Sequence, residues 1–274
     1  VLRDTWEYLT CAINGDANED SRGELFGLNS YSWCDASATF TSAGYDQIVS
    51  MFQSTSVPVF FSEYGCNKPL TQPRVFNEVQ ALYGPNMTVL NGGLVYEYTE
   101  ETSRYGLVQL NGDGSITLLK DFDNLQGQFN KLDRTVITSA PGINNSPPNC
   151  SASLITSSSF NTSWTLPAQP SGAAALINNG VSGAINGKLV SVTNLNVKQK
   201  VIGTNGQTIS GLKLNVIDGS NLPSGANTSG GNAGNQTSSN GGSGSKKGSA
   251  SSIQFSSRQL ISGAIAAAFV FALM

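Results

Sequence analysis

The segment Val57-Pro58-Val59-Phe60-Phe61-Ser62-Glu63-Tyr64-Gly65-Cys66 restricts the fold of this chain more than any other stretch. Its apolar half, Val57 to Phe61, has the length and the Val/Phe content of a buried strand. A polar triplet with one carboxylate follows, and Gly65 permits a sharp exit turn. A carboxylate at the C-terminal end of a buried parallel strand stands where a (β/α) barrel carries its catalytic groups. Glu63 is therefore the first candidate for chemistry.

The flanking pattern supports a βα repeat. Val1 to Thr10 is helical in pattern, with Val1, Leu2, Trp6 and Leu9 apolar, and Leu25 to Tyr31 reads as a strand. Ala43 to Gln53 predicts a helix with Tyr45, Ile48, Val49 and Phe52 on one face. Pro73 opens a further helix over Arg74 to Leu82, stopped by Gly84-Pro85, and Leu94 to Tyr98 reads as a third strand. Strands and helices alternating at this spacing predict an α/β fold with parallel strands. A complete (β/α)8 TIM barrel needs about 250 residues. Residues 1–150 are thus expected to be its C-terminal portion, about the last three strands, with an unpaired sheet edge.

Residues 151–223 change character. Charge falls, Leu212-Lys213-Leu214-Asn215-Val216 alternates, and Asn205-Gly206 predicts a two-residue hairpin turn, so a small β-rich module is expected. Residues 224–251 form a Gly/Ser/Asn-rich stalk expected to be disordered. Gly248-Ser249-Ala250-Ser251, a polar spacer and the apolar tail Gln259 to Met274 follow in the order of a GPI-anchor signal. The tail's 16 residues fall short of the about 20 needed to span a bilayer. Residues 252–274 are expected to be removed, with Gly248 or Ser249 as attachment candidates. The chain begins Val1-Leu2-Arg3-Asp4, inside a helical pattern and with no signal peptide, so it is expected to continue a longer N-terminal part.

Four cysteines, an even number, suit disulfide pairing in an oxidising compartment, and three pairings are open. Glycosylation sequons begin at Asn86, Asn144, Asn161, Asn227 and Asn235. A net charge of -3 with 12% charged residues suggests no nucleic-acid partner. The absence of histidine excludes Ser-His-Asp and Cys-His catalysis and His-ligated metal from these residues. No cofactor and no metal is expected.

Three motifs carry a family resemblance. Gly27-Leu28-Asn29-Ser30-Tyr31-Ser32-Trp33-Cys34, Phe61-Ser62-Glu63-Tyr64-Gly65-Cys66 and Gly93-Leu94-Val95-Tyr96 resemble the fungal GPI-anchored β-1,3-glucanosyltransferases of glycoside hydrolase family 72. The resemblance covers residues 1 to about 150 and continues through the β-rich module and stalk. It implies a retaining mechanism in a (β/α)8 barrel, with Glu63 as nucleophile and a second carboxyl about 5–5.5 Å away as acid and base. In the family that second residue follows an Asn at the end of an earlier strand, upstream of this chain. Asn18-Glu19 and Asn77-Glu78 share the dipeptide, but one lies in a hydrophilic loop and the other in a predicted helix. The chain alone is therefore expected to be inactive.

The resemblance further implies that Tyr31 and Tyr96 line the cleft beside Glu63. Trp33, Tyr64 and Tyr98 are candidate sugar-stacking platforms, and Asn29 is a candidate for bonding substrate hydroxyls. Glu97, Glu100 and Glu101 read as solvated or substrate-contacting. The pairing implied is Cys34–Cys66, tying neighbouring strand tops, and Cys11–Cys150, contributing about 4–5 kcal/mol on a chain-entropy account. The function implied is transglycosylation of β-1,3-glucan donor and acceptor chains at the outer face of the plasma membrane and in the cell wall. Two alternatives remain at this point: a retaining endo-β-1,3-glucanase, and a non-catalytic GPI-anchored wall protein that binds or scaffolds glucan.

Overall fold

A computed structural model describes residues 1–18, 21–69, 73–160, 162–165, 169–183 and 193–214. Glu19, Asn161, Asn227, Asn235, Gly248 and Ser249, the stalk at 224–251 and the tail at 252–274 lie outside the described residues, as does the end of the 151–223 stretch.

The chain runs α1 (Leu2–Thr10), β1 (Phe26–Ser30), α2 (Tyr45–Phe52), β2 (Val59–Tyr64), α3 (Glu78–Leu82) and β3 (Gly93–Val95). The three strands are parallel, in the order β1-β2-β3. Their apolar and aromatic residues face the helices: Leu28, Val59, Phe61 and Tyr64 are buried against a cluster containing Trp6, Tyr45, Phe52, Val79 and Leu82. Ring contacts fix this layer. Trp6 meets Phe52 edge-on at 5.0 Å, and Tyr45 meets Phe61 at 5.4 Å. Fully burying one such side chain contributes about 1.5–3 kcal/mol. On the opposite face Gly27 and Asn29 are exposed and Phe60 is half-buried.

The predicted helix over Arg74 to Leu82 begins only at Glu78. Phe76 has φ 53°, in the left-handed region that breaks a right-handed helix. Asp121 holds the Arg74 backbone N–H and guanidinium instead, so residues 74–77 run as a loop. The third strand ends at Val95, earlier than predicted. Beyond it the chain doubles back: the Glu97 N–H donates to Tyr105 O, and the Leu107 and Val108 N–H groups donate to Tyr98 O.

Past this loop come β4 (Val108–Leu110), β5 (Ile116–Leu118), α4 (Lys120–Phe129), α5 (Arg134–Thr138), α6 (Ala173–Asn179), β6 (Val201–Ile202) and β7 (Thr208–Ile209). The hairpin β4–β5 is not predicted from the sequence, because three-residue strands show too little periodicity; the ten-residue helix α4 is not predicted either. The hairpin β6–β7 adds to β5 in a second sheet, order β4-β5-β6-β7. Its loop is one residue longer than predicted: the Gly203 N–H bonds Gln207 O, enclosing Thr204-Asn205-Gly206 with Gly206 at φ 78°.

A strap closes over α1. Cys11 is bonded to Cys150, Asp4 Oδ1 accepts from the Thr156 N–H at 2.7 Å, and Trp164 stacks on Tyr8 at 5.2 Å.

Candidate active site

The strand that carries Glu63 is not regular. Leu28 pairs with Phe61, but the next residue of β1, Asn29, pairs with Glu63, so Ser62 is an extra residue on β2. This β-bulge breaks the two-residue alternation. Val59 and Phe61 face the buried layer; without the bulge Glu63 would follow them into it. With it, Ser62 and Glu63 are both half-buried and Tyr64 returns to the core. An ionised carboxylate in the apolar layer would carry a large desolvation cost. The bulge avoids that cost and presents the carboxylate at the C-terminal end of the strand.

Among the described residues the close partner of Glu63 is Tyr31, whose hydroxyl donates to Glu63 Oε2 at 2.6 Å. A hydrogen bond of this length from a phenol to a carboxylate is charge-assisted and directional. Burial, then the Glu63 hydrogen bond and charge, push the Tyr31 phenol well above its ordinary pKa, so it stays a donor through the neutral range. The Tyr105 ring bridges the flanking tyrosines, edge-on to Tyr31 at 5.8 Å and to Tyr96 at 5.3 Å. The Tyr96 phenol is also raised, first by a hydrogen bond to Glu97, with Glu101 and Glu63 adding smaller repulsions. Tyr31 is thus the tyrosine hydrogen-bonded to Glu63, while Tyr96 stands on the other side of the Tyr105 contact.

Cys34 and Cys66 form a disulfide between the segments leaving β1 and β2. On the open face Ser62 Oγ donates to Asn29 Oδ1 at 2.7 Å, placing both polar groups beside Glu63 in register. Tyr98 is exposed, at 43%. Two predicted platforms are corrected. Tyr64 is fully buried and Trp33 is 8% exposed, its indole N–H donating to Asn77 Oδ1 at 2.9 Å. Neither ring presents a face to a sugar; both are core residues whose strand-end position resembled that of a cleft residue. Glu100 is engaged within the chain, where its Oε2 accepts the Gly106 N–H at 2.8 Å and holds the loop after β3.

Three residues of this neighbourhood carry no sign of it in the sequence. Tyr105 sits in a polar loop without periodicity, and Arg74 and Asp121, 47 positions apart, meet only in the folded chain. No local signal marks any of them.

The sequence profile of a family described as glucanosyltransferase, glycoside hydrolase 72, matches residues 2–133. Residues 2–133 belong to that family. The glucanosyltransferase match includes β1, β2, β3 and the whole tyrosine cluster. The 1,3-beta-glucanosyltransferase gel2 of Aspergillus fumigatus is 50% identical over 235 residues, covering 84% of this chain and 48% of that protein. The probable 1,3-beta-glucanosyltransferase GAS3 of Saccharomyces cerevisiae is 39% identical over 229 residues, 78% of this chain and 43% of that protein. The chain therefore spans about half the length of these curated relatives. A solved structure of Saccharomyces cerevisiae Gas2p with laminaritetraose and laminaripentaose is 39% identical, with a TM-score of 0.43 over 48% of this chain and 28% of that one.

Proposed function

We propose that this chain is the nucleophile-bearing part of a retaining β-1,3-glucanosyltransferase, residues 1–150 forming the last three βα units of a (β/α)8 barrel. The observation that carries the reading is Glu63, placed by a bulge on the open face of β2 with Tyr31 donating to Oε2 at 2.6 Å. The names of the relatives, which are 1,3-beta-glucanosyltransferases, support the same chemistry.

In the first step Glu63 Oε1 forms a bond to the anomeric carbon as the glucan C1–O bond breaks. The departing oxygen takes a proton from an acid outside this chain. In the second step a hydroxyl of an acceptor glucan attacks that carbon, gives its proton to the same group as base, and releases the Glu63 carboxylate. Tyr31 remains a neutral donor throughout, orienting the carboxylate and leaving Oε1 for attack. Asn29, Tyr96 and Tyr98 contact the glucan around this centre. The remaining assignments complete the reading: a module at 151–223, a stalk at 224–251, a removed GPI signal at 252–274 with attachment at Gly248 or Ser249, and glycans at Asn86, Asn144, Asn161, Asn227 and Asn235. The protein then acts at the outer face of the plasma membrane, against the wall.

Incubation of a laminari-oligosaccharide with the protein expressed from its whole coding sequence tests this. Products longer than the substrate support transfer. Shorter products alone indicate an endo-glucanase, and an unchanged substrate indicates a binding or structural protein. Glu63→Gln is expected to abolish transfer, and any retained transfer removes the nucleophile assignment. Turnover by residues 1–274 alone would place the acid/base within them, against the proposal.

A further inference from the structure

Arg74 is a cation in the interior, 5% exposed, whose guanidinium reaches the loops around Glu63 without touching the carboxylate. Its Nε pairs with Asp121 Oδ2 at 2.6 Å. Its Nη1 donates to Gly65 O at 3.1 Å and to Tyr96 O at 2.5 Å, and its Nη2 donates to Tyr105 O. The guanidinium carbon stands over the ring of Phe76, 4.6 Å from the centroid, and over that of Tyr105, at 5.6 Å. Gly65, at φ 109°, leaves room for it: a Cβ there would stand 3.0 Å from Nη1.

The three carbonyls belong to the segments that define the site. Gly65 follows Glu63 by two residues, Tyr96 follows β3 and donates its own N–H to Tyr64 O, and Tyr105 touches both Tyr31 and Tyr96. A planar fork with five donors serves three carbonyls and a carboxylate at once; an ammonium on a flexible stem does not. Asp121 neutralises the charge and, by accepting the Arg74 backbone N–H as well, fixes the direction of the side chain.

We infer that Arg74 is a positioning residue for Glu63, acting through Tyr105 and Tyr31; this rests on the nucleophile assigned above. Arg74 binds no sugar in this scheme. It holds the tyrosine cluster that sets the carboxylate's direction, and its loss lets the attacking oxygen drift. Misplacement of a reacting group by about 1 Å costs about 10²-fold in rate.

The test uses Arg74→Met and Arg74→Lys in the protein expressed from its whole coding sequence. Both are expected to lower kcat for glucan transfer by about 10²-fold with KM unchanged, and guanidinium ion added to Arg74→Gly should restore part of kcat. The activity-free readout is the NMR signal of the Tyr31 ring. It should move on Glu63→Gln in the parent protein and lose that response in the Arg74 variants. Folded Arg74 variants that keep kcat and the Tyr31 response overturn the inference. So does a fall in kcat that tracks thermal stability alone and is not rescued by guanidinium. If Arg74→Met fails to fold, Arg74→Lys decides. If the parent protein transfers no glucan, the functional reading fails, and the Tyr31 response still decides whether Arg74 sets the carboxylate.

Discussion

Glu78 shows how far a single residue's setting departs from its type. It is 3% exposed at the start of α3, and its burial raises the carboxyl to about 7. Its own backbone N–H and the Arg74 guanidinium lower it by less, and the phenols of Tyr45 and Tyr64 face it from other elements. In the unfolded chain its pKa returns to 4.5, the ordinary value. Between about 4.5 and about 7 the folded state therefore holds the extra proton, and stability falls as pH rises. The stabilisation is complete below the unfolded pKa and lost through the folded one, roughly 3 kcal/mol across the window. Glu78→Gln is expected to flatten that slope and raise the unfolding midpoint at pH 8 but not at pH 4, as thermal melts at the two values would read. In the sequence Glu78 is an Asn-Glu dipeptide inside a predicted helix; nothing local announces its burial.

At the scale of elements, the open ends of β1 and β2 are held by a covalent tie and by a change of register. The Cys34–Cys66 bridge closes a 32-residue separation, a constraint worth about 4 kcal/mol on the chain-entropy account. Replacing both cysteines by serine should lower the free energy of unfolding in denaturant by about that amount. The Cys11–Cys150 tie spans 139 residues and fastens a different element, the strap over α1, so its removal should loosen residues 149–164 first. Hydrogen exchange on the doubly substituted Cys11→Ser, Cys150→Ser protein would show this as protection lost at position 150 and at Thr156, whose N–H groups bond Ala12 O and Asp4. The elements most legible in the sequence are those with enough repeats to show a period, α1, α2, β1 and β2, while β3 is found with shifted bounds and the β6–β7 hairpin through the Asn205-Gly206 of its turn. The short β4 and β5 exist because neighbouring strands pair with them, so their own residues carry little sign of it.

For the molecule as a whole, one face of the β1-β2-β3 sheet is covered by helices and the other is open. Leu25 and Leu94 are 52% and 41% exposed, and β1 pairs with β2 alone among the described residues. Exposed leucines beside an unpaired strand edge favour self-association. Residues 1–274 expressed alone are expected to elute above monomer size with concentration-dependent light scattering, whereas the whole coding sequence should give a monodisperse protein. The sequence by itself determined that strands and helices alternate, that Glu63 stands at a strand end, and that its surroundings resemble one family, because apolar spacing and contiguous motifs are local properties. The tertiary structure decided which way Glu63 faces, because a one-residue bulge reverses a strand's alternation and depends on pairing with β1. It also decided that Trp33 and Tyr64 are buried, and that Arg74, Tyr105 and Asp121 meet behind the site. Burial and long-range contact are properties of packing, and packing exists only after the chain has folded.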